Sequence, residues 1–525
     1  MANAVSPSPP TRQHRMTAQD QSETITFLKA TDLGLSVETV STHISVVVLG
    51  DDRALKLKRA VCLPYLDFST AECRLAACQA ELRLNRRTAP NLYLGVHRIT
   101  RETDGRLALD GAGCLVDAVV EMRRFAQEAL FDNMARRGAL TPTLMTDLAR
   151  RIAAFHRDAV VSFDQGGAAG IAAVLKINDQ ALRATSLVSA EAVETFAEAF
   201  RRSFERHADL LEVRRKAGKF RRCHGDLILR NICLLGGAPT LFDCTEFDDA
   251  LATIDVLYDV AFLLMDLWCR DQRDLANLVF NRYLDECEAT DGVGLVPFFM
   301  AIRAAVRAHV TATQAADASS AAAAPLLAEA QAYFDLARSL LRGASPKLLA
   351  IGGLSGSGKS TVAALVAPHL GAAPGARILN SDRIRKRLHG VSAETRLPES
   401  AYRPELSETV YATLRQEAAQ ALAAGCGVIV DAVFDRPDER TSIEAVASEA
   451  GVPFQGIWLE APTATLLSRI SGRRNDPSDA TANVLLAQVQ RDGGQISWRR
   501  LNAQADPAAT RDAILASLSP PPGCG

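Results

Sequence analysis

The chain reads as an α/β multidomain protein of two unlike units: an N-terminal bilobal α+β unit and a C-terminal three-layer α/β/α parallel sheet. Three observations predict this. Within residues 24–342, short strand signals come first and long helical stretches later, the order of a small β-rich lobe followed by a larger helical one. Beyond residue 348, buried apolar runs alternate with helical stretches, the order of a parallel sheet wrapped by helices. Between the two, Gly343-Ala344-Ser345-Pro346 breaks the chain after a helical reading of residues 326–341. The expected division is a disordered tail over 1–23, a first unit over 24–342, a linker at 343–347 and a second unit over 348–525. Small residues from Ala312 to Ala324 and the breaker offer few groups to bury, so two separately folding pieces are expected. The competing possibility is an obligate interface.

At 525 residues the chain exceeds one core, and length suggests about three to four domain-equivalents. Apolar residues at 48% and charged residues at 23% describe an ordinary soluble protein. A formal charge of −2 argues against a broad nucleic-acid surface. The eleven cysteines are odd in number and include no C-x-x-C pair, which reads as reduced cytosolic thiols rather than a disulfide frame or zinc site. The best membrane candidate, near residues 260–268, is short and broken by Asp259 and Asp266, so no span is expected and a cytoplasmic location follows.

In the first unit, residues 44–49 and 53–59 flank the turn Gly50-Asp51-Asp52, a hairpin signal. Residues 70–87 have helical spacing, 115–120 read as a strand, and 144–159 are amphipathic. Residues 232–235 and 240–242 are short apolar runs around Gly236-Gly237, followed by helical stretches reaching Val310. His224-Gly225-Asp226-Leu227-Ile228-Leu229-Arg230-Asn231 matches the kinase catalytic loop H-R-D-L-x-x-x-N except at Gly225. That spacing lets Asp226 meet an acceptor hydroxyl while Asn231 reaches back to a Mg²⁺ ion. Asp243 ends the segment Thr240-Leu241-Phe242 and is a second candidate metal ligand.

These residues resemble the aminoglycoside phosphotransferase family, the small-molecule branch of the protein-kinase-like fold, over about residues 24–341. The resemblance implies a bilobal kinase fold, ATP and Mg²⁺, and Val119-Val120-Glu121-Met122 as the hinge that would receive the nucleotide at Glu121 and Met122. It also implies a β-lobe lysine paired with a helix glutamate. Lys56 and Lys58 share one strand face; Ala54-Leu55-Lys56 reproduces the A-x-K pattern, so Lys56 is preferred and Lys58 stays open. Glu81 is the preferred partner, with Glu72 second. Asp255 and Asp259 resemble the family's aspartate that buttresses the catalytic loop, or are simply acids at a helix N-terminus. His156 closes a helix, and no G-x-G-x-x-G precedes the hairpin. The basic cluster Arg214, Arg215, Lys216, Lys219, Arg221 and Arg222 could recruit an anionic substrate or form a solvated helix end.

In the second unit, Gly353-Leu354-Ser355-Gly356-Ser357-Gly358-Lys359-Ser360 is a full G-x-x-x-x-G-K-[ST] loop directly after the apolar strand Leu348-Leu349-Ala350-Ile351. Backbone N–H groups at a helix start converge on phosphates there. Gly353, Ser355, Gly356, Ser357, Gly358, Lys359, Ser360 and Thr361 are therefore the nucleotide-binding candidates, with Lys359 on the outer phosphates and Ser360 on Mg²⁺. Two further strands end in acids, at Asp382 and Asp431, and a helix rich in Arg469, Arg473 and Arg474 follows a fourth strand. This array resembles small P-loop kinases of the polynucleotide-kinase, gluconate-kinase and zeta-toxin type. The resemblance implies Asp382 as acceptor-activating base, Arg385 as a substrate holder, Asp431 as an acid near Mg²⁺, and Arg469, Arg473 and Arg474 as lid arginines. Asp382 and Asp431 could instead cap the following helices. Without D-x-x-G or N-K-x-D, a regulatory GTPase is disfavoured.

The expectation is a fusion of two ATP- and Mg²⁺-dependent phosphotransferases aimed at hydroxyl groups. The alternative is a regulatory ATP-binding protein with a silent N-terminal module. Sugars, nucleosides, aminoglycosides and nucleic-acid 5′ ends all stay open as acceptors.

Overall fold

The computed structural model describes residues 20–518, apart from 32, 34–36, 43, 64–65, 247–251, 288–289, 473–476, 492 and 505. Residues 1–19 of the expected tail lie outside the described residues. The rest of that tail already belongs to the fold, because helix Ser22–Ala30 begins within it and buries Leu28 completely. The chain divides into two compact units: Met1–Arg137 with His224–Asp226 and Arg230–Ala252, and Gly138–Cys223 with Leu227–Leu229 and Thr253–Gly525. That division does not fall at Gly343.

The first unit is built on an antiparallel sheet. Its strands, in spatial order, are Glu38–Ser41, Ser45–Leu49, Arg53–Lys58, Cys114–Arg123, Tyr93–Arg101 and Leu107–Leu109. The hairpin read around Gly50 pairs Leu49 with Ala54 and Val47 with Lys56. Helix Ala71–Asn85 starts at Thr70, whose hydroxyl accepts from the Cys73 amide, and packs against the sheet through Cys78, which is fully buried. Arg74 and Asp117 form a wholly buried ion pair at 2.7 Å between helix and sheet. A second hairpin, Ile232–Leu235 with Ala238–Leu241, turns at Gly236-Gly237 as expected.

The second unit holds a helical lobe and a parallel sheet. The lobe comprises helices Pro142–Asp158, Gly167–Arg183, Ala190–Lys216, Val256–Cys269, Arg273–Glu286, Val296–Asp317 and Ser320–Leu341. The small-residue run read as a junction is instead helical. Ala308, Ala312 and Ala315 are buried where Val296–Asp317 packs against Ser320–Leu341, since small side chains let two helices come close. Segment Thr290–Asp317 is long and apolar enough to cross a bilayer, with 67% of its most apolar window buried inside the protein, as in a core helix.

The parallel sheet has the order Arg377–Asn380, Val428–Asp431, Leu348–Gly352, Phe454–Glu460, Arg499–Asn502. Its central strand is buried at every position, which is why it reads as an unbroken apolar run. Ile351 lies in register with Asp431 on one side and Ile457 on the other, so the glycine loop emerges beside the acid. The last strand, Arg499–Asn502, has no apolar signature in the sequence.

The expectation of few contacts across the Gly343 breaker is overturned. Helix Arg273–Glu286 packs on strand Arg377–Asn380 through buried polar groups, and Arg377, only 1% exposed, reaches the Asp285 carboxylate at 2.7 Å. A buried guanidinium needs a charged or multiply accepting partner, and the helical lobe supplies it through Asp285 and Asn281.

Candidate active sites

The first candidate site lies within the first unit. Lys56 on strand Arg53–Lys58 places its Nζ 2.8 Å from Glu81 Oε1 and 2.5 Å from Asp243 Oδ1. Lys58, on the same strand face, also pairs with Glu81 and with Glu246 and is fully buried. Glu81 is thus shared between both lysines, whereas Glu72 is exposed. Only Lys56 reaches Asp243. Burial works against its charge, but Asp243 and Glu81 outweigh that and hold its pKa well above the ordinary lysine value. Burial likewise opposes the Asp243 charge, and Lys56 overrides it to leave the carboxyl at about 2.

The segment carrying Asp243 is held in an unusual conformation. Asp243 has φ of 63°, rare for a residue with a side chain. Its N–H donates to the Tyr93 hydroxyl at 3.1 Å, the Cys244 N–H donates to Asn85 Oδ1 at 2.8 Å, and His224 Nε2 sits 2.9 Å from the Phe242 carbonyl. His224 therefore ties the His224–Asn231 loop to the segment that carries Asp243. Asn231 Nδ2 donates to the Asp226 carbonyl at 2.9 Å and to its carboxylate at 2.8 Å. That leaves the Asn231 amide oxygen, with Asp243, as hard oxygen donors of the type Mg²⁺ prefers.

Gly225 explains the one departure from the kinase loop. Its φ is 88°, and a Cβ there would lie 2.6 Å from Thr245 Oγ1. An arginine has no room at this position.

Glu121 and Met122 lie inside the sheet rather than past its end. The strand continues to Arg123, with Leu55 and Ala54 opposite Glu121 and Met122. The Glu121 carboxylate is held by Arg53 at 3.0 Å and by His97 at 2.9 Å.

In the helical lobe, Asp255 is an acid at a helix N-terminus, and its bonds go to that helix and to Arg214 rather than to the His224–Asn231 loop. It caps helix Val256–Cys269 by accepting from the Leu257 amide, and it grips Arg214 through two bonds of 2.7 and 2.8 Å with both groups fully buried. Asp259 accepts from His156 at 3.0 Å. Asp266, which sequence reasoning missed, accepts the Leu229 amide of the His224–Asn231 loop at 3.0 Å. The basic cluster works internally: Arg214 is buried, Arg215 pairs with Glu212, and Arg221 binds carbonyls at the end of helix Pro142–Asp158.

The second candidate site lies at the C-terminal ends of the parallel strands. Ser360 Oγ donates to Asp431 Oδ2 at 2.6 Å, and Asn380 Nδ2 donates to the same oxygen at 2.6 Å. Asp431 is 1% exposed, and the hydroxyl–carboxylate pair is a second hard-oxygen set suited to Mg²⁺. Lys359 Nζ bonds the loop carbonyls of Gly353 and Leu354 at 2.8 and 3.1 Å. Within the loop, Ser357 Oγ is buried and without a partner, an orphan donor that an anion in the loop would satisfy. Gly356 has φ of 87°, and a Cβ there would meet the Leu466 carbonyl at 2.7 Å. The Ser355 amide is occupied by Gln488 of helix Ala482–Gln490 at 3.0 Å. Gly353 and Gly358 complete the loop, and Thr361 stands exposed in the first turn of helix Lys359–Val366.

Asp382 sits in the first turn of helix Ser381–Leu388, and burial, with Asp431 adding, raises its pKa above the ordinary carboxylate value. Arg385 is 6% exposed and stacks over the Tyr402 ring at 4.7 Å. Its hydrogen bonds go to neutral groups, the Ala401 carbonyl and the Ser407 hydroxyl. Lys386, buried beside it, pairs with Asp479 at 2.5 Å, and Asp479 also accepts from Tyr402 and Leu397. Asp479 is a second organising residue that sequence reasoning passed over, although it lies in the Arg473–Ala480 stretch singled out as distinctive. Arg469 reaches the Gly356 carbonyl at 3.5 Å and the Ala503 carbonyl at 2.8 Å. Arg473 and Arg474 lie outside the described residues.

Residues 71–293 match the model of a phosphotransferase enzyme family, and residues 348–492 match an AAA domain. Uncharacterized protein Rv2004c of Mycobacterium tuberculosis is 30% identical over 471 residues, covering 88% of this chain and 91% of that protein. The chain belongs to that family. This chain joins a phosphotransferase domain to a P-loop kinase domain. The adenylyl-sulfate kinase of Myxococcus xanthus is 30% identical over 122 residues, 23% of this chain and 62% of that protein. Among solved structures, a choline/ethanolamine kinase family protein from Mesorhizobium loti aligns at 14% identity and a TM-score of 0.37, covering 61% of this chain and 99% of that one. Domains of the kinase type imply ATP use, and the two matches support a protein of the phosphotransferase class.

Proposed function

We propose that the protein carries two ATP- and Mg²⁺-dependent phosphotransferase sites, each moving the γ-phosphoryl group to a hydroxyl of a small molecule in the cytosol. The observation that carries the reading is the Lys56 ammonium lodged between Glu81 and Asp243, beside the Asn231–Asp226 pair. A lysine so placed positions nucleotide phosphates, and a carboxylate beside a metal-ligating amide orients an acceptor. In the second site, Ser360, Asp431 and the loop around the orphaned Ser357 hydroxyl support the same reading.

In the first site, Asp243 and Asn231 would hold the metal and Lys56 the phosphates. Asp226 accepts the proton of the acceptor hydroxyl as its oxygen bonds to phosphorus and the bond to the ADP oxygen breaks. In the second, Ser360 and Asp431 would hold the metal, Lys359 the phosphates, and Asp382 would take the acceptor proton. Bound Mg²⁺ supplies charge neutralisation on the phosphates. Both sites work by positioning and electrostatics.

Asp226→Asn should keep nucleotide affinity of the first site within a few fold and lower its turnover by about 100-fold or more, the usual contribution of a general base. Asp243→Asn should instead weaken Mg²⁺-dependent ATP binding. ADP release across a panel of hydroxyl acceptors, with parallel binding titrations, tests the division of roles. Equal behaviour of the two variants in the binding titration would refute it. A chain that binds ATP at both sites but releases no ADP with any acceptor would favour the regulatory alternative.

A further inference from the structure

Strand Arg377–Asn380 is the edge of the parallel sheet, and an edge strand presents unpaired backbone groups. Here those groups are met by side chains of helix Arg273–Glu286. Asn281 Oδ1 accepts from the Ile378 amide at 2.7 Å, and its Nδ2 donates to the Ala376 carbonyl at 3.1 Å. Asn277 Nδ2 donates to the Ala376 and Pro374 carbonyls, both at 3.0 Å. The two amides stand one helical turn apart, are 2% exposed or less, and replace a neighbouring strand.

Three ion pairs extend the seam. Asp285, one further turn along, binds Arg377 at 2.7 Å and Arg383 at 3.4 Å, so its carboxylate spans the strand and the first turn of the helix that carries Asp382 and Arg385. Arg150 of helix Pro142–Asp158 grips both oxygens of Glu394 at 2.7 and 2.8 Å. Glu394 lies beside Thr395, whose carbonyl accepts from Lys386. All these ties converge on residues 374–395, the segment that surrounds Asp382 at its acceptor end.

We infer that the helical lobe of the phosphotransferase domain is a working part of the P-loop site, with Asn277, Asn281, Asp285 and Arg150 as positioning residues that fix the helix bearing Asp382. This rests on the reading of Asp382 as the acceptor acid. The clamp's side chains act on the acceptor side: Asn277, Asn281, Asp285 and Arg150 bond neither Lys359 nor Ser360, and the strand's link to the phosphate loop, from Asn380 to Ser360 Oγ at 3.4 Å, is made by a residue that none of them bonds. Removing a tie therefore slows transfer without weakening nucleotide binding.

The test uses the full chain with the first site silenced by Asp226→Asn, and ATP with water as acceptor. Arg383→Gln is the first variant, because Arg383 is 21% exposed at its side chain and its loss leaves the buried Arg377 seam intact. Hydrogen exchange over residues 381–388 should quicken at least tenfold while residues 359–366 stay unchanged. ATP turnover should fall at least tenfold, a fluorescent ATP analogue should bind within twofold of its original affinity, and Arg383→Lys should restore at least half the turnover. Asn281→Leu, which strips the edge cap, should quicken exchange at residues 376–380 as well. Unchanged exchange at 381–388 in Arg383→Gln overturns the clamp. Faster exchange with full turnover supports the clamp and overturns the acceptor role of Asp382, so the two failures are distinguishable.

Discussion

Replacing Gly225 by alanine should destabilise the first unit by an amount that can be divided into two parts. Gly225 has φ of 88°, and a non-glycine residue held in the left-handed region costs about 1–2 kcal/mol. The new Cβ would lie 2.6 Å from Thr245 Oγ1, 2.9 Å from Thr245 Cβ and 3.2 Å from Ala252 Cβ. Overpacking of that kind costs about 1–3 kcal/mol. The sum centres at about 3.5 kcal/mol, which for a unit of this size lowers the melting temperature by about 7–14 °C. Calorimetry of the full chain should show that drop in one transition. Thr245→Gly removes both nearest atoms, so a double-mutant cycle should return a coupling of about 1–3 kcal/mol, while the backbone strain stays. A Gly225→Ala chain melting within 2 °C of the parent, or a coupling near zero, would refute the steric account of why this loop carries His-Gly-Asp.

Three further outcomes are expected. Lys359→Ala should reduce two classes of ATP-analogue site in the full chain to one, by weakening the P-loop site at least 100-fold; persistence of both classes in a fluorescence titration argues against the phosphate-loop assignment. Asp255→Ala leaves Arg214 buried with only Asp291 and removes a helix cap, so urea unfolding should show a loss of about 4 kcal/mol; a loss below 1 kcal/mol would show that the buried pair contributes little. Glu439 is pushed up to about 7 by burial, with the Asp435 charge adding to it, from a usual value of 4.5. The folded state therefore holds its proton where the unfolded chain releases it, and stability falls as pH rises from 4.5 through 7. Glu439→Gln should accordingly raise the melting temperature at pH 8 by more than at pH 5, and an equal shift at both pH values would contradict this.

The parts of each site that follow local rules were legible in the sequence. Strand, glycine loop and helix around Lys359 stand in chain order, and so do His224, Asp226, Asn231 and Asp243, because backbone spacing alone decides what they can reach together. Period-two alternation placed Lys56 and Lys58 on one face, but the choice between them depended on where Glu81 and Asp243 converge, and no local pattern encodes that. Asn277, Asn281 and Asp285 were invisible as a group. Their i, i+4, i+8 spacing is an ordinary helix face, and its partner lies about a hundred residues away. One signal was available: Arg377 opens a buried apolar strand, and a charge in that position calls for a partner from elsewhere in the fold. The basic cluster around Arg214 misled for the complementary reason, since its density on paper concealed that Arg214 points inward to Asp255. Junction and core look alike where alanine dominates, which is why residues 312–324 read as a spacer.

The polar cap over the sheet edge also bears on how the chain acquires its shape. Chains emerge from the ribosome N-terminus first, and domains fold as they appear. Asn277 and Asn281 precede the backbone they cover by 95 to 99 residues, so the cap is already made when strand Arg377–Asn380 is synthesised. The newborn strand meets a waiting template on one side and Val428–Asp431 only later on the other. Reversing the two domains, or releasing the P-loop half alone, would present that edge bare to neighbouring chains, the condition under which edge strands pair with one another. Gene order, on this view, protects the second half from its own copies.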